Sequence, residues 1–422
     1  MSLPEGAFAG FSTTEITHIR ELARVLPPPD DETNEYATSE ATATFGKTLF
    51  FDTRLSANGH IACASCHQPD HGFSMNAELG MGHEATPRHP PTLLNAAYQR
   101  WFDWDGKADS LWSQAARPLE NPSEHRMTRT ALAHLILTEP DLRAAYDEAF
   151  PDSPLPEGID TASWPLDASP SQDVTQAQRK AWREDLDEPE RELISAIFTR
   201  LLKALAAYQH QLVLFDSPFD QWVAQQLEEP DAPSPMTEAQ LNGLKHFLGK
   251  GRCITCHNGP LFSDMDFHNL GLGKRPWLEG LPIDEGRTQG VEHVKKSALN
   301  ALGPHSARKD GMRGQWTRFL ISTPENRGQF KTPTLRNVEL SPPYMHGGHL
   351  ATLEEVVRFY VLLEEKTETG HREDSLRPAP LSPTEQTELV AFLKALTGTP
   401  RKEEWFLPPA DSPEAAVTPK QR

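Results

Sequence analysis

The chain has 422 residues, with 60 acidic and 41 basic side chains, and its formal net charge is −19 at pH 7. This negative charge argues against nucleic-acid binding and favours a basic or small neutral partner. No run of 18 or more apolar residues occurs, so we expect no membrane span. A chain of this length predicts two domains.

Two short motifs contain all four cysteines, and a histidine directly follows each cysteine pair. This Cys-x-x-Cys-His pattern is typical of haem c, because two thiols add to the vinyl groups of one haem and the histidine ligates its iron. Structural disulfides would not need the histidines, a zinc site would place its cysteine pairs closer together, and a thioredoxin-like motif needs one pair. We predict two haem c groups, held by Cys63, Cys66 and His67 and by Cys253, Cys256 and His257.

Haem c is attached outside the bacterial cytoplasm, so the two motifs also predict a compartment. The sequence after Met1-Ser2-Leu3 is polar and does not resemble an export signal. We therefore expect a periplasmic protein whose signal has been removed, with residues 1–3 left over from cloning.

The regions around the two motifs resemble each other. Residues 45–50 (FGKTLF), before the first motif, resemble residues 243–248 (GLKHFL), before the second. Further along, residues 91–95 (PTLLN) match residues 333–337 (PTLRN), and a glycine and a leucine follow at equal spacing in both halves. The predicted fold is therefore mainly α, with two cytochrome c-like haem domains related by internal duplication, long loops and little strand.

We place the first domain at residues 1–230, the second at 231–400 and a Pro-rich tail at 401–422. An apolar stripe predicts a long helix over 190–214, which we expect to close the first domain and pack between the two. Capping boxes predict helices that begin after Thr237, Thr352 and Ser382. Residues 151–188, rich in Pro, Asp and Ser, predict a surface insertion, and residues 291–323 lack periodicity and predict a long loop.

The two halves differ where haem chemistry would be set. Met345 falls at the position that Asp103 has in the first half, so at this position only the second half offers a thioether. Methionine as sixth ligand raises a haem potential, which favours electron transfer there. Tyr344, His346 and His349 are alternative ligands. The first motif is followed by His71, His83 and His89, and then by Trp104, Gln114, Glu124 and His125.

Four segments carry a family resemblance: residues 46–56, 102–107, 262–269 and 331–337. They resemble the bacterial di-haem cytochrome c peroxidases and MauG, over roughly residues 40–398. The resemblance implies that Trp104 lies between the haems, that Gln114 and Glu124 lie on the peroxide side of the first haem, and that Glu124 is the acid/base. It also implies that His83 caps the first iron at rest, although MauG-like members have an open first haem.

Two features depart from the peroxidases. The loop that holds their second-haem methionine corresponds to residues 325–330, which contain none, so the ligand is expected to be Met345 or, as in MauG, Tyr344. The family's calcium ion is held partly by an asparagine after an arginine. Here Arg88 is followed by His89, so calcium stays open.

These observations lead to three hypotheses. In the first, hydrogen peroxide is reduced to water at the first haem, with electrons from a small periplasmic donor, such as a cytochrome c or a cupredoxin, entering through the second. In the second, a MauG-like oxidase uses peroxide to modify a partner protein, with Trp277 as a relay. In the third, the protein is an electron carrier without peroxide chemistry. The oligomeric state is left open, with a homodimer as one option.

Overall fold

The computed structural model describes residues 4, 6–27, 29–364, 367, 369–400 and 402–409. The described chain is mostly helical with few short strands, which confirms the predicted fold class. Its helices are α1 (Thr13–Leu22), α2 (Glu40–Phe51), α3 (Cys63–Cys66), α4 (Leu111–Glu120), α5 (Arg129–Thr138), α6 (Pro140–Ala149), α7 (Gln176–Glu184), α8 (Glu188–Gln209), α9 (Pro218–Glu228), α10 (Glu238–Leu248), α11 (Arg287–Lys296), α12 (Met312–Arg318), α13 (Leu353–Leu362) and α14 (Pro383–Lys394).

In the part of the chain that the structure describes, four two-residue strands form two antiparallel pairs. Strand β1 (Leu214–Phe215) pairs with β4 (Thr399–Pro400), and β2 (Phe267–His268) pairs with β3 (Phe330–Lys331). No helix in the described part of the chain is long and apolar enough to cross a membrane.

The first hydrophobic core is built on α2 and α8. Residues 201–209 of α8 are buried on all sides, and Gly46 of α2 lies so close to α8 that a Cβ atom there would be 1.9 Å from the Ala204 carbonyl oxygen. The long predicted helix is confirmed, but it ends at Gln209, because the chain turns there before β1. Its main neighbours are α2, α4 and α5, so it is a core helix of the first half and not a helix between the halves.

The second core repeats this arrangement with α10 and α14. A Cβ atom on Gly243 would be 2.0 Å from the Glu388 carbonyl oxygen, so a glycine again allows two helices to approach closely. The helices predicted after Thr237, Thr352 and Ser382 are confirmed as α10, α13 and α14, each capped by the side chain of the named residue.

Two segments that we assigned to the first domain pack into the second core. Phe8 and Leu22, at the ends of the segment that contains α1, are fully buried there, as are Phe219 and Trp222 of α9. Apolar side chains of short amphipathic helices pack on the nearest uncovered core, which here belongs to the other half of the sequence. Apart from these two segments, the domain boundary that we placed at residue 230 stays a prediction.

Equivalent residues of the two halves share unusual backbone conformations. Asn95 and Asn337 are both left-handed, with φ of 58° and 63°. The side-chain amides of both donate to one acceptor, the carbonyl oxygen of Leu214, at 2.9 and 3.1 Å. This agreement supports the proposed duplication, and it places Leu214 where the halves meet.

Two of the three peripheral segments differ from expectation. Residues 151–188 are not a surface insertion alone, because Trp164 and Trp182 are buried against the first core. Residues 291–323 contain most of α11 and all of α12, so the predicted long loop is wrong; hydrogen bonds of Arg313 and Thr317 to Asp109 hold α12 in place. Within the tail, Trp405 is buried beside α8, whereas residues 401 and 410–422 lie outside the described residues.

Candidate functional site

One cavity of about 810 Å³ is lined by both halves of the chain. Cys66 and His67 lie in its wall from the first half, and Cys253, Cys256 and His257 from the second. The two motifs that are 190 positions apart in sequence therefore face a common space. Its volume is at the upper end of what cofactor sites occupy.

Both motif histidines are oriented by the same contact. Nδ1 of His67 is 3.0 Å from the carbonyl oxygen of Phe73, and Nδ1 of His257 is 2.8 Å from that of Phe262. Both phenylalanines are left-handed, with φ of 54° and 51°, which turns these carbonyls towards the rings. An Nδ1–H donor fixes the tautomer and leaves Nε2 free to ligate iron.

The remaining chemistry of the two motifs also suits haem. Burial lowers the pKa of both His67 and His257, which favours the neutral imidazole that binds metals. The four cysteines are all free thiols, and burial raises the pKa of Cys63 and Cys253 to about 12. Two thiol pairs without disulfides, each beside an oriented imidazole, fit two haem c groups.

Trp104 lies in the cavity wall and is held by one residue from each half. Its indole Nε1–H donates to the His89 carbonyl oxygen at 2.7 Å, and its own carbonyl accepts from the Lys331 N–H at 2.7 Å. The N–H of His89 donates in turn to the His346 carbonyl oxygen at 2.8 Å. The indole is therefore fixed where the two halves meet. Its position between the two haems stays a prediction.

A buried ion cluster, which the sequence did not reveal, lies beside Trp104. The Arg88 guanidinium contacts Asp105 at 2.8 Å and binds Asp284 through two hydrogen bonds of 2.8 Å. Burial alone would raise the pKa of Asp105, but the positive charge of Arg88 holds that pKa well below its usual range. The cluster joins the first half to the loop before α11.

Gln114 and Glu124 both line the first-half end of the cavity. Gln114 is on α4, and its amide is 3.4 Å from Asp103 Oδ1. Glu124 follows α4, and one of its carboxylate oxygens accepts from Asn121 Nδ2 at 2.5 Å and from Arg117 Nη1 at 3.3 Å. The structure brings both residues to the wall that also holds His67.

Two histidines near Glu124 do not line the cavity. The backbone N–H of His83 donates to the Glu124 carbonyl oxygen at 3.3 Å, and its Nε2 is buried without a partner among the described residues. His125 is buried, with Nδ1 2.9 Å from the Leu55 carbonyl oxygen. Contact between His83 and the first iron stays a prediction, because the ring is not in the wall of the cavity.

At the second-half end, the candidate ligands remain together. Tyr344, Met345, His346 and His349 all line the cavity. Met345 is left-handed with φ of 71°, like Asp103 at the matching position with 64°. Burial raises the pKa of the Tyr344 hydroxyl, and the ring of His346 stacks on Phe330 at 3.6 Å. The choice between Met345 and Tyr344 stays a prediction.

His268 forms a second charged cluster beside the second motif, also missed by sequence reasoning. Its ring nitrogens are 2.9 Å from Asp264 Oδ2 and 2.9 Å from Glu373 Oε2. The contact with Asp264, together with further hydrogen bonds that include Glu373, raises the pKa of His268 to about 11. The sequence did place His268 in segment 262–269, which resembles the family. Its contact with Glu373 could not be predicted, because the two residues are 105 positions apart.

Comparison with known proteins agrees with this geometry. Residues 40–228 match the family described as di-haem cytochrome c peroxidase. The chain is 32% identical to the cytochrome-c peroxidase IdrP1 of Denitromonas iodatirespirans, over 89% of this chain and 86% of that protein. It is 30% identical to the methylamine utilization protein MauG of Methylorubrum extorquens, over 84% and 78%. Among solved structures, a MauG-like protein associated with microbial copper homeostasis has the same fold, with a TM-score of 0.62 at 24% identity over 91% and 95% of the two chains.

Proposed function

Because the chain belongs to the di-haem cytochrome c peroxidase family and is thus an oxidoreductase that acts on hydrogen peroxide, we propose how its two halves divide the reaction. Peroxide is reduced to water at the His67 site, and electrons enter through the His257 site. The observation that carries this division is the asymmetry of the shared cavity, since Gln114 and Glu124 lie only at its first-half end. The second-half end offers Met345 and Tyr344 instead.

The haem iron held by His67 supplies the centre at which electrons reach the peroxide. The protein contributes proton movement, for which Glu124 is placed to take a proton from one peroxide oxygen and return it to the other. Asn121 and Arg117 hold the Glu124 carboxylate in position through their hydrogen bonds. The Gln114 amide offers both a donor and an acceptor to orient the peroxide.

Trp104 is the proposed connection between the two sites. The indole N–H donates to the His89 carbonyl oxygen and the Trp104 carbonyl accepts from the Lys331 N–H, so Trp104 is held against both halves, which supports this role. Haem c attachment supports a periplasmic location. A small donor such as a cytochrome c or a cupredoxin would then deliver electrons at the second-half end.

The ligand of the second iron can be tested directly. If Met345 is the sixth ligand, Met345→Ala removes the methionine–iron absorption band of the oxidised protein and lowers the potential of that haem, because thioether ligation raises it. Tyr344→Phe should then leave the band in place. A changed haem spectrum in Tyr344→Phe, with none in Met345→Ala, would identify Tyr344 as the ligand.

We propose that calcium is not held at His89. Calcium prefers oxygen ligands, whereas both ring nitrogens of His89 are engaged, by Ser74 Oγ at 2.9 Å and by the Ala77 carbonyl oxygen at 2.9 Å. The His89 carbonyl oxygen already accepts from Trp104. Calcium binding by His89→Gln, measured by titration calorimetry, is therefore expected to equal that of the native protein; a loss of binding confined to the variant would contradict this.

A MauG-like oxidase is the second candidate. It is favoured by Trp277, which is 40% exposed and whose indole N–H donates to the Gly347 carbonyl oxygen at 3.1 Å, beside the loop that carries Met345. This tryptophan would connect the second-half end to the surface. Modification of Trp or Tyr residues in a partner protein, seen with the native protein and lost in Trp277→Phe, would support this candidate over the peroxidase.

A further inference from the structure

We propose that His293, on α11, is a proton-transfer residue that passes protons between solvent and the peroxide side of the first haem site. The proposal rests on the function given above and adds a residue to it. None of the motifs in the sequence pointed to this histidine, which lies in the segment predicted to be a loop.

The first observation is the position of His293 in the walls of two adjoining spaces. One is the large cavity that Glu124 and Gln114 line. The other is a small space of about 10 Å³, partly open to solvent, which is close to the volume that holds one water molecule. The residues that line both spaces are Asp103, Lys107, Gln114, Arg117 and His293.

The second observation is that the imidazole is uncommitted. None of the described residues makes a hydrogen bond to the ring of His293, although four charged side chains surround it. Those side chains are Asp103 and Lys107 before α4, Arg117 on α4 and Asp173 before α7. A ring in a polar wall, without a hydrogen-bond partner among the described residues, is free to bind water on either side.

The electrostatics favour a ring that both accepts and releases protons. Burial lowers the pKa of His293, Asp173 opposes that effect, and Lys107 and Arg117 add to it. The ring is then neutral near pH 7, with one nitrogen as donor and the other as acceptor. Such a ring can receive a proton at one nitrogen and release one from the other.

The stoichiometry of the reaction requires such a route. Reduction of one hydrogen peroxide takes two electrons and two protons and breaks the O–O bond to give two waters. Glu124 returns a proton that peroxide itself supplied, so it adds none to the total. The two further protons must come from solvent. His293 would take them one at a time from water in the small space and release each towards the second peroxide oxygen, which needs both to become water.

The test is His293→Gln in the full di-haem protein, which keeps a polar side chain but cannot carry a proton. We expect peroxide turnover to fall by about 10²-fold, at the low end for a positioned proton-transfer group. The solvent deuterium isotope effect should increase, and one limb of the pH profile should disappear. His293→Glu, which keeps an ionisable group, should recover part of the turnover with a limb shifted to lower pH.

The matched control is Glu292→Gln, the exposed neighbour of His293 on α11, which is expected to behave like the native protein. Haem spectra check that each variant is folded, and His293→Asn replaces His293→Gln if that variant is not. Native turnover, isotope effect and pH profile in a folded His293 variant would overturn the proposal. In that case, loss of turnover in Glu124→Gln would still uphold the proposed function, so the two failures are distinguishable.

Discussion

Replacing Glu124 with glutamine is expected to lower peroxide turnover by about 10²- to 10⁴-fold, the contribution of a positioned acid/base group. Glutamine has the same shape and keeps an oxygen to accept from Asn121 and Arg117, so the packing around the site should persist. It cannot accept the peroxide proton, and that step is what the change removes. The measurement is the steady-state rate of peroxide consumption with a reduced cytochrome c or cupredoxin as donor.

The control for this variant is Glu84→Gln. Glu84 is an exposed residue whose carboxylate accepts from Ser123 Oγ and Arg126 Nη2. It lies next to Glu124 in the structure but outside the cavity. We expect it to turn over peroxide at the native rate. If Glu124→Gln also did so, the acid/base assignment would fail; if neither the native protein nor the variants consumed peroxide, the electron-carrier hypothesis would be favoured.

Of the substitutions proposed, removal of the Arg88 guanidinium should lower the free energy of unfolding most. Arg88→Ala leaves Asp105 buried beside an empty space and frees Asp284, and breaking a buried pair in this way costs about 3–5 kcal/mol of the free energy of unfolding. Electron transfer to the first site should slow as well, since Asp105 is adjacent to Trp104. Urea unfolding, followed by haem absorption at both sites, measures the first effect.

The structure offers a matched control in Arg327→Ala. Arg327 makes a similar two-bond contact with Glu285, the residue after Asp284, at 2.6 and 2.9 Å, but its side chain is half exposed. Exposed ion pairs contribute little to stability, so this variant should unfold close to the native midpoint. Equal destabilisation by both substitutions would mean that burial of the Arg88 cluster has no special role.

The same cluster predicts a pH dependence with a definite sign. The net effect on Asp105 is a lowered pKa in the folded protein, because Arg88, together with Lys107 and Arg117, outweighs burial. The stabilisation is therefore complete above the unfolded pKa of the carboxyl and is lost as the pH falls through the folded one. Acid unfolding of the native protein should begin at lower pH than that of Arg88→Ala.

The features that were predictable from sequence share one property, which is that their signal is local. Each haem motif lies within five residues, the stripe of α8 repeats within one helix, and the caps of α10, α13 and α14 precede their helices directly. The family resemblance supplied Trp104, Gln114 and Glu124, and the structure places all three at the cavity.

What could not be predicted depends on contacts between distant segments. Arg88 and Asp284 are 196 positions apart, and nothing near either residue indicates the other. His293 lines the cavity only because α11 packs against the first half. Most residues of α11 are polar, so the apolar periodicity that would predict this helix is weak. Likewise, the packing of α1 on the second core depends on which apolar surface remains uncovered after both halves have folded.

The carbonyl oxygen of Leu214 accepts from Asn95 and from Asn337, one for each of its lone pairs. A single peptide group thus serves as a structural part of both repeats and cannot be assigned to either. Cutting the gene near this position would leave one fragment with an asparagine that lacks its acceptor, and the fragment that lost α1 would expose apolar surface as well. We therefore expect truncation near Leu214 to destabilise both halves, even though each contains its own complete attachment motif.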